Sequence, residues 1–177
     1  MKTILFAIFF FLSYCASCQI DSNAYNLLRS IIQNQNDLDL IGYLDVYDTS
    51  GYDFFSRYTR KRKVWDEVSK SYTLKLSASE RKYLNRQIEK ARHYRLPDGL
   101  IPNAILIPQN SLQEHVLRYP ARKVYIISKP MFIRKNSVAL LSYTQLNPGT
   151  TFPVKTIAAY YQKVNGGWKI LALLEEL

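Results

Sequence analysis

Cysteine is nearly absent from this chain of 177 residues: its only two cysteines are Cys15 and Cys18. Beyond residue 18 the chain cannot form an internal disulfide, and no thiolate can act as a nucleophile. Histidine is equally scarce, with His93 and His115 alone. Two histidines without cysteine make a poor transition-metal site. The sequence therefore predicts no metal and no other cofactor.

Motifs that carry catalytic chemistry are also missing. The chain has no G-x-S-x-G elbow, no glycine-rich loop for a phosphate and no H-E-x-x-H spacing. The aspartates between residues 37 and 53 lack the spacing of a calcium-binding loop. A Ser/His/Asp triad remains an alternative, because its members need not be neighbours in sequence. We expect a protein without catalytic residues.

Only one long apolar run occurs, and it lies near the N terminus. Lys2 precedes the nine apolar residues "ILFAIFFFL", and small or polar residues follow from Ser13. This order is typical of a secretory signal peptide, which we place at residues 1–18. Nine helical residues span about 14 Å, too little for a hydrocarbon core of about 30 Å. The alternative, a buried N-terminal helix or strand, explains the leading lysine less well.

The C-x-x-C spacing of the two cysteines thus concerns processing rather than redox chemistry. The stretch "CASC" resembles a bacterial lipobox, which implies that Cys18 is lipidated and becomes the first mature residue. Cys15 departs from that motif, since an aliphatic residue is usual there. A cut before Gln19 would instead release the protein by plain secretion. We therefore expect an exported protein, either a periplasmic or outer-membrane lipoprotein or a secreted one.

Positive charge is what the chain has in excess, with 24 Lys and Arg against 14 Asp and Glu. Such a chain attracts anions. Behind an export signal, the expected partners are anionic lipid, a glycan or an acidic protein, whereas nucleic acid would require the export prediction to be wrong. The alternative is a set of simple solvent-exposed charges. The candidate contact residues form two clusters in sequence: Arg57, Arg60, Lys61, Arg62 and Lys63 in a basic loop at 57–63, and Arg81, Lys82, Arg86 and Lys90 on a helix.

Two helices are predicted in the first half of the chain. Apolar residues of "AYNLLRSIIQNQ" share one face of a helix over about 23–35. In the second helix, over 78–94, Ser77 and Glu80 have the spacing of a capping box. Its Leu84, Ile88 and Ala91 recur on one face, opposite the basic residues.

The last third of the chain predicts a β-meander. Its four strand-like runs are 123–132, 137–146, 155–164 and 167–177, and Asn165-Gly166 is the preferred dipeptide of a two-residue hairpin. That turn predicts four pairs in register: Lys163–Trp168, Tyr161–Ile170, Ala159–Ala172 and Ile157–Leu174. The face that carries these residues is expected to receive the 78–94 helix.

The predicted fold class is α+β, with N-terminal helices packed on a C-terminal antiparallel meander of about four strands. Residues 19–177 form one domain. Three stretches, Leu76–Ile88, Ile127–Phe132 and Tyr160–Ile170, resemble a group of uncharacterised exported bacterial proteins and lipoproteins whose meander ends in Asn-Gly-x-Trp-Lys. Some of that group carry cysteines before the third strand, where this chain has Asn147-Pro148-Gly149, so no thiol role carries over.

The order of helices followed by a sheet is also similar to NTF2-like domains, whose sheet encloses a pocket. That resemblance implies the alternative function, a small-molecule binder or a weak hydrolase or isomerase. Its pocket would be lined by Tyr143, Tyr160 or Tyr161. The first expectation remains a non-catalytic envelope protein that acts in binding or assembly, with an anionic ligand.

Overall fold

The computed structural model describes residues 22–33, 42–45, 55–91 and 105–176. The predicted signal peptide and His93 lie outside these ranges. We number the longer helices α1 to α3 and the strands β1 to β9. The helices are α1 (Ser22–Gln33), α2 (Ala78–Ala91) and α3 (Leu112–Arg118). The strands are β1 (Gly42–Asp45), β2 (Lys63–Asp66), β3 (Ser71–Lys75), β4 (Ile105–Leu106), β5 (Val124–Ile127), β6 (Met131–Ile133), β7 (Val138–Leu146), β8 (Pro153–Val164) and β9 (Gly167–Glu176).

The fold is α+β, as predicted, and its centre is a seven-stranded sheet. The order is β4-β1-β5-β7-β8-β9, and β6 also pairs with β7. All pairs are antiparallel except those that β1 makes with β4 and β5. The sheet thus contains the predicted meander, to which β1 and β4 add a parallel edge.

The first predicted strand of the meander is interrupted, so that 123–132 becomes β5 and β6. At the interruption, the Ser128 N–H donates to the Ser142 carbonyl, and the Ser142 N–H donates to the Ser128 hydroxyl, each at 2.9 Å. Pro130 follows, and proline cannot donate to a strand ladder. The serine side chain replaces one backbone bond, which keeps both short strands on β7.

The hairpin of β8 and β9 forms at the predicted turn, where Asn165 and Gly166 have φ of 51° and 82°. Lys163–Trp168 and Tyr161–Ile170 pair as predicted. Beyond them the prediction is wrong: Ala159 pairs with Leu173, and Ile157 with Glu176. Two irregularities each add one residue on β9, and the turn sets the register only as far as the first of them.

Both faces of the sheet are buried, each in its own apolar cluster. Leu27 and Leu28 of α1 pack with Ala159 and Tyr161 on one face. On the other face, a cluster with Ala158 and Tyr160 of the same strand contains the buried residues of α2: Leu84, Ile88 and Ala91. The prediction that this helix packs on the Tyr161 face is therefore wrong. Apolar residues alternate to both sides of β8, so the pattern of that strand does not distinguish the faces.

A two-stranded sheet of β2 and β3 covers the outer edge of β9. The Leu173 N–H donates to Asp66 Oδ1 at 2.8 Å, and the Glu67 N–H donates to the Leu173 carbonyl at 2.9 Å. Asp66 is 7% exposed, and its carboxylate also accepts the N–H groups of Ser69 and Val68. This carboxylate therefore joins the β2–β3 turn to the edge of the main sheet.

Candidate functional site

Helix α2 begins with the predicted capping box, which fixes the orientation of its basic face. The Ser77 N–H donates to Glu80 Oε2 at 2.7 Å, and the Glu80 N–H donates to the Ser77 hydroxyl at 3.1 Å. Leu84 and Ile88 are buried beneath the helix. Because the apolar side faces the sheet, the basic side of α2 faces outward. Lys82 and Arg86 are exposed there, and Arg81 is partly buried.

The basic segment at 57–63 is more ordered than the predicted loop. Residues 55–59 are helical, a turn follows at Arg60, and β2 begins at Lys63. Phe55 and Thr59 are fully buried and hold this helical turn in place. The Thr59 hydroxyl bonds to Asn85 Oδ1, and Arg81 Nη1 donates to the Arg60 carbonyl at 3.0 Å. The two basic clusters of the sequence are therefore neighbours in space.

A first groove lies between this helical turn and α2. It has a volume of about 590 Å³. Four cations line it against one acid, Glu89. The polar side chains Ser56 and Asn85 complete its wall, and the almost fully buried Ile88 borders it. The four cations are Arg60, Arg81, Lys82 and Arg86.

A second groove, of about 600 Å³, lies at the start of α2. It shares Ala78 and Arg81 with the first groove. Glu80 is its one acid, and its four cations are Arg62, Lys75, Arg81 and Arg134. Arg134 Nε donates to Glu80 Oε1 at 2.8 Å, and Arg134 Nη2 donates to the Lys75 carbonyl at 2.8 Å. These bonds join the β6–β7 turn to the helix and to the end of β3.

The β6–β7 turn beside the second groove has an unusual backbone. Arg134, Lys135 and Asn136 have φ of 53°, 53° and 63°, three consecutive non-glycine residues in the left-handed region. For Arg134 and Lys135 this conformation costs about 1–2 kcal/mol each, whereas asparagine adopts it more readily. The Ser137 N–H and hydroxyl both donate to the Arg134 carbonyl, at 3.1 and 2.7 Å. The strained turn presents Arg134 to α2.

Glu80 carries a charge that compensates one cation of the second groove. Partial burial taken alone would raise the pKa of Glu80. Hydrogen bonds from Arg134 and Ser77 outweigh that effect, and the pKa lies below its ordinary value. Glu80 is therefore ionised at neutral pH and pairs with Arg134. Arg62 and Lys75 make none of the ion pairs found among the described residues, and both are exposed.

The structure places only some of the predicted contact residues in the grooves. Arg60, Arg62, Arg81, Lys82 and Arg86 line one or both. The remaining four are exposed and line neither: Arg57, Lys61, Lys63 and Lys90.

Two of these four cations lie over aromatic rings. Lys61 Nζ lies 5.6 Å from the centre of the Tyr58 ring, and Lys63 Nζ lies 5.5 Å from that of Tyr72. Such cation–π contacts hold a lysine near the ring without removing its charge.

Two groove residues, Lys75 and Arg134, are not among the predicted contacts. Lys75 stands immediately before the Leu76-Ser77 start of the capping box, so its position near α2 could be inferred from the sequence. Arg134 lies 54 residues from Glu80, and no local pattern connects the two.

Other candidate residues give no site in the described part of the chain. His115 Nε2 is buried and has no hydrogen-bond partner among the described residues. Burial, followed by the charges of Arg122 and Arg118, lowers the His115 pKa. The rings of Tyr143, Tyr160 and Tyr161 are 6% exposed or less and lie in the two core clusters. These three rings line neither of the two basic grooves nor a further groove of about 370 Å³ near Tyr83.

Within the described ranges, no group of three or more His, Cys, Asp and Glu residues could hold a metal ion. No helix in those ranges has the length and apolarity required to cross a bilayer.

Comparison with known proteins gave no significant match to a family model, a curated protein or a solved structure.

Proposed function

We propose that this protein is a non-catalytic, exported protein of the cell envelope that binds an anionic ligand in its basic grooves. The observation that carries the proposal is the first groove, where four cations face one acid across a concave surface. Two separate parts of the chain supply these cations, and the bonds of Arg81 and Asn85 hold the parts together. This arrangement supports a binding site rather than a scattered set of surface charges.

The physical basis is the difference between a concave and a convex charged surface. Exposed single pairs of charges contribute about 0–1 kcal/mol in water. A groove lets several cations act on one ligand, and its protein walls exclude part of the screening solvent. Lysine and arginine side chains carry a positive charge at neutral pH. Anion binding of this kind therefore requires no reacting group.

The test compares two triple variants with the same change in net charge. The groove variant carries R60Q, K82Q and R86Q, and the matched control carries R57Q, K61Q and K90Q. The probes are phosphatidylglycerol vesicles, alginate and a polyglutamate peptide, each measured at several salt concentrations. We expect at least one probe to bind, with a 10- to 100-fold loss in the groove variant, or about 0.5–1 kcal/mol per cation. The control should lose threefold or less.

Equal losses in the two variants would show that net charge alone causes the attraction, and would refute a groove. The side chain of Arg81 is kept in both variants because its guanidinium supports the backbone at Arg60. Circular dichroism and urea unfolding establish that both variants keep the fold.

The proposed location depends on the N terminus. We propose that residues 1–18 direct export and that Cys18 is the lipidated residue, with secretion from Gln19 as the alternative. Mass spectrometry of the protein recovered from its native host separates these outcomes, because a diacylglyceryl group adds a large defined mass to Cys18. A mature chain that begins at Met1 would contradict export.

A further inference from the structure

We propose that the two grooves form one continuous site for a linear polysaccharide that carries anionic groups on successive sugar units. This inference rests on the proposed function, and it names the class of ligand. The grooves are contiguous, since Ala78 and Arg81 belong to the walls of both. Arg81 stands at their junction, where a ligand in either groove meets its guanidinium.

The extent of the combined site favours a chain-like ligand. From its first residue, Ala78, to Arg86, α2 rises about 12 Å. The first groove contains Arg86 and the second contains Ser77. A single carboxylate or phosphate group contacts only one part of such a length. Cations are present along all of it: Arg60, Lys82 and Arg86 in the first groove, Arg81 at the junction, and Arg62, Lys75 and Arg134 in the second.

The shape of the site distinguishes a polymer chain from a bilayer. A membrane presents a broad surface and reaches residues that protrude, such as Lys61 or Lys90, which lie outside the grooves. A single chain can enter a groove and contact both walls. Here the wall of the first groove also carries the polar side chains Ser56 and Asn85. Hydroxyl groups of a sugar ring provide the complementary contacts.

The kind of cation supports recognition of oxyanions. Five of the seven cations are arginines. The planar guanidinium binds a carboxylate through two parallel hydrogen bonds, with a geometry that lysine cannot reproduce.

The experiment measures how affinity depends on ligand length, with alginate oligomers from the dimer to the dodecamer as probes and neutral mannan oligomers as controls. The second-groove variant carries R62Q and K75Q, and the matched control carries K61Q and K90Q. The backbone carbonyls of Arg62 and Lys75 accept the structural hydrogen bonds at these positions, so glutamine preserves them. Isothermal titration calorimetry gives each dissociation constant.

We expect the wild-type affinity for alginate to increase at least tenfold between the dimer and the longest oligomers. The second-groove variant should lose that increase but still bind the dimer through the unchanged first groove, and the control should keep the increase. Mannan should not bind. An affinity independent of length, or an equal loss in both variants, would overturn the continuous site.

The outcomes also separate this inference from the proposed function. If alginate fails to bind but phosphatidylglycerol vesicles bind in a way that requires Arg60, Lys82 and Arg86, the polysaccharide proposal is wrong and the anion-binding groove stands. If no anionic probe binds, both are wrong. Binding of neutral mannan equal to that of alginate would exclude charge as the basis of recognition.

Discussion

Replacing Asp66 by alanine should lower the free energy of unfolding by about 2–4 kcal/mol, because it removes the hydrogen bonds that the carboxylate accepts. The Leu173 N–H that donates to it at 2.8 Å belongs to a residue only 5% exposed. Leaving such a buried donor without an acceptor costs about 1–3 kcal/mol. The Ser69 N–H, which donates at 2.9 Å, lies in an exposed turn where water can replace the lost bond. Most of the loss should therefore come from Leu173.

Urea unfolding, followed by circular dichroism, measures this change. The matched control is E67A, one residue away on the same turn. Glu67 forms a solvent-exposed ion pair with Lys70, and such pairs contribute about 0–1 kcal/mol. If D66A and E67A unfold at the same urea concentration, the carboxylate does not join the β2–β3 turn to β9 and the reasoning is refuted.

The same carboxylate predicts a dependence on pH. Burial alone would raise the pKa of Asp66, but the hydrogen bonds that it accepts lower the pKa below its ordinary value. The folded state therefore binds fewer protons than the unfolded state near pH 4. This contribution to stability is complete above the unfolded pKa of about 3.9 and is lost as the pH falls through the lower folded pKa. The variant D66N should show a smaller loss of stability across that range.

Four further predictions concern the helix, the core and the turn. S77A should reduce stability by about 1 kcal/mol in urea unfolding, because it removes the side-chain acceptor that caps the Glu80 N–H; no change would contradict the cap. Y160F should be neutral or up to about 1 kcal/mol more stable, since the buried hydroxyl has no partner among the described residues; a large loss would reveal a partner. K135G should raise stability by up to about 1 kcal/mol by relieving a left-handed backbone, and a loss would refute strain there. The pKa of His115 is lowered in the folded state, so protonation of this histidine opposes folding and stability falls as the pH drops below about 6.5. H115Q should reduce that fall in stability, as measured by melting temperature from pH 5 to 8.

Features set by neighbouring residues could be predicted from the sequence. The capping box at Ser77 and the turn at Asn165-Gly166 depend on local geometry, and both form as predicted. The α+β class follows from the separation of helical and strand periodicities along the chain. By contrast, the parallel pairing of β1 with β4 and β5 joins distant segments and has no local signal.

The wrong assignment of the α2 face has a specific cause in β8. The four residues Ala158, Ala159, Tyr160 and Tyr161 give each face of the strand one alanine and one tyrosine. Alternation predicts which residues share a face, but it does not show which of two equally apolar faces meets a given helix. The irregularities on β9 add to the difficulty, because a bulge is defined by its partners rather than by its own sequence.

The sequence predicts the positive charge of the candidate site but not its grooved shape. The two basic clusters are visible in the sequence, and the structure brings them together through Arg81 and Arg60. The division into groove residues and outward residues depends on how the helical turn at 55–59 and Arg60 contact Asn85 and Arg81 of α2, which the sequence pattern does not show. The contribution of Arg134 depends on a contact across 54 residues, which periodicity cannot show.

The bonds between the β2–β3 turn and Leu173 also affect how the protein meets other copies of itself. A free edge strand offers its amide and carbonyl groups to any passing strand, which is a common beginning of aggregation. At Leu173 both groups are already engaged by Glu67 and Asp66. The form most prone to self-association should therefore be one in which this turn has detached while the main sheet remains folded. Acid that protonates Asp66 would increase its population, so solubility at low pH should decrease before the secondary structure is lost.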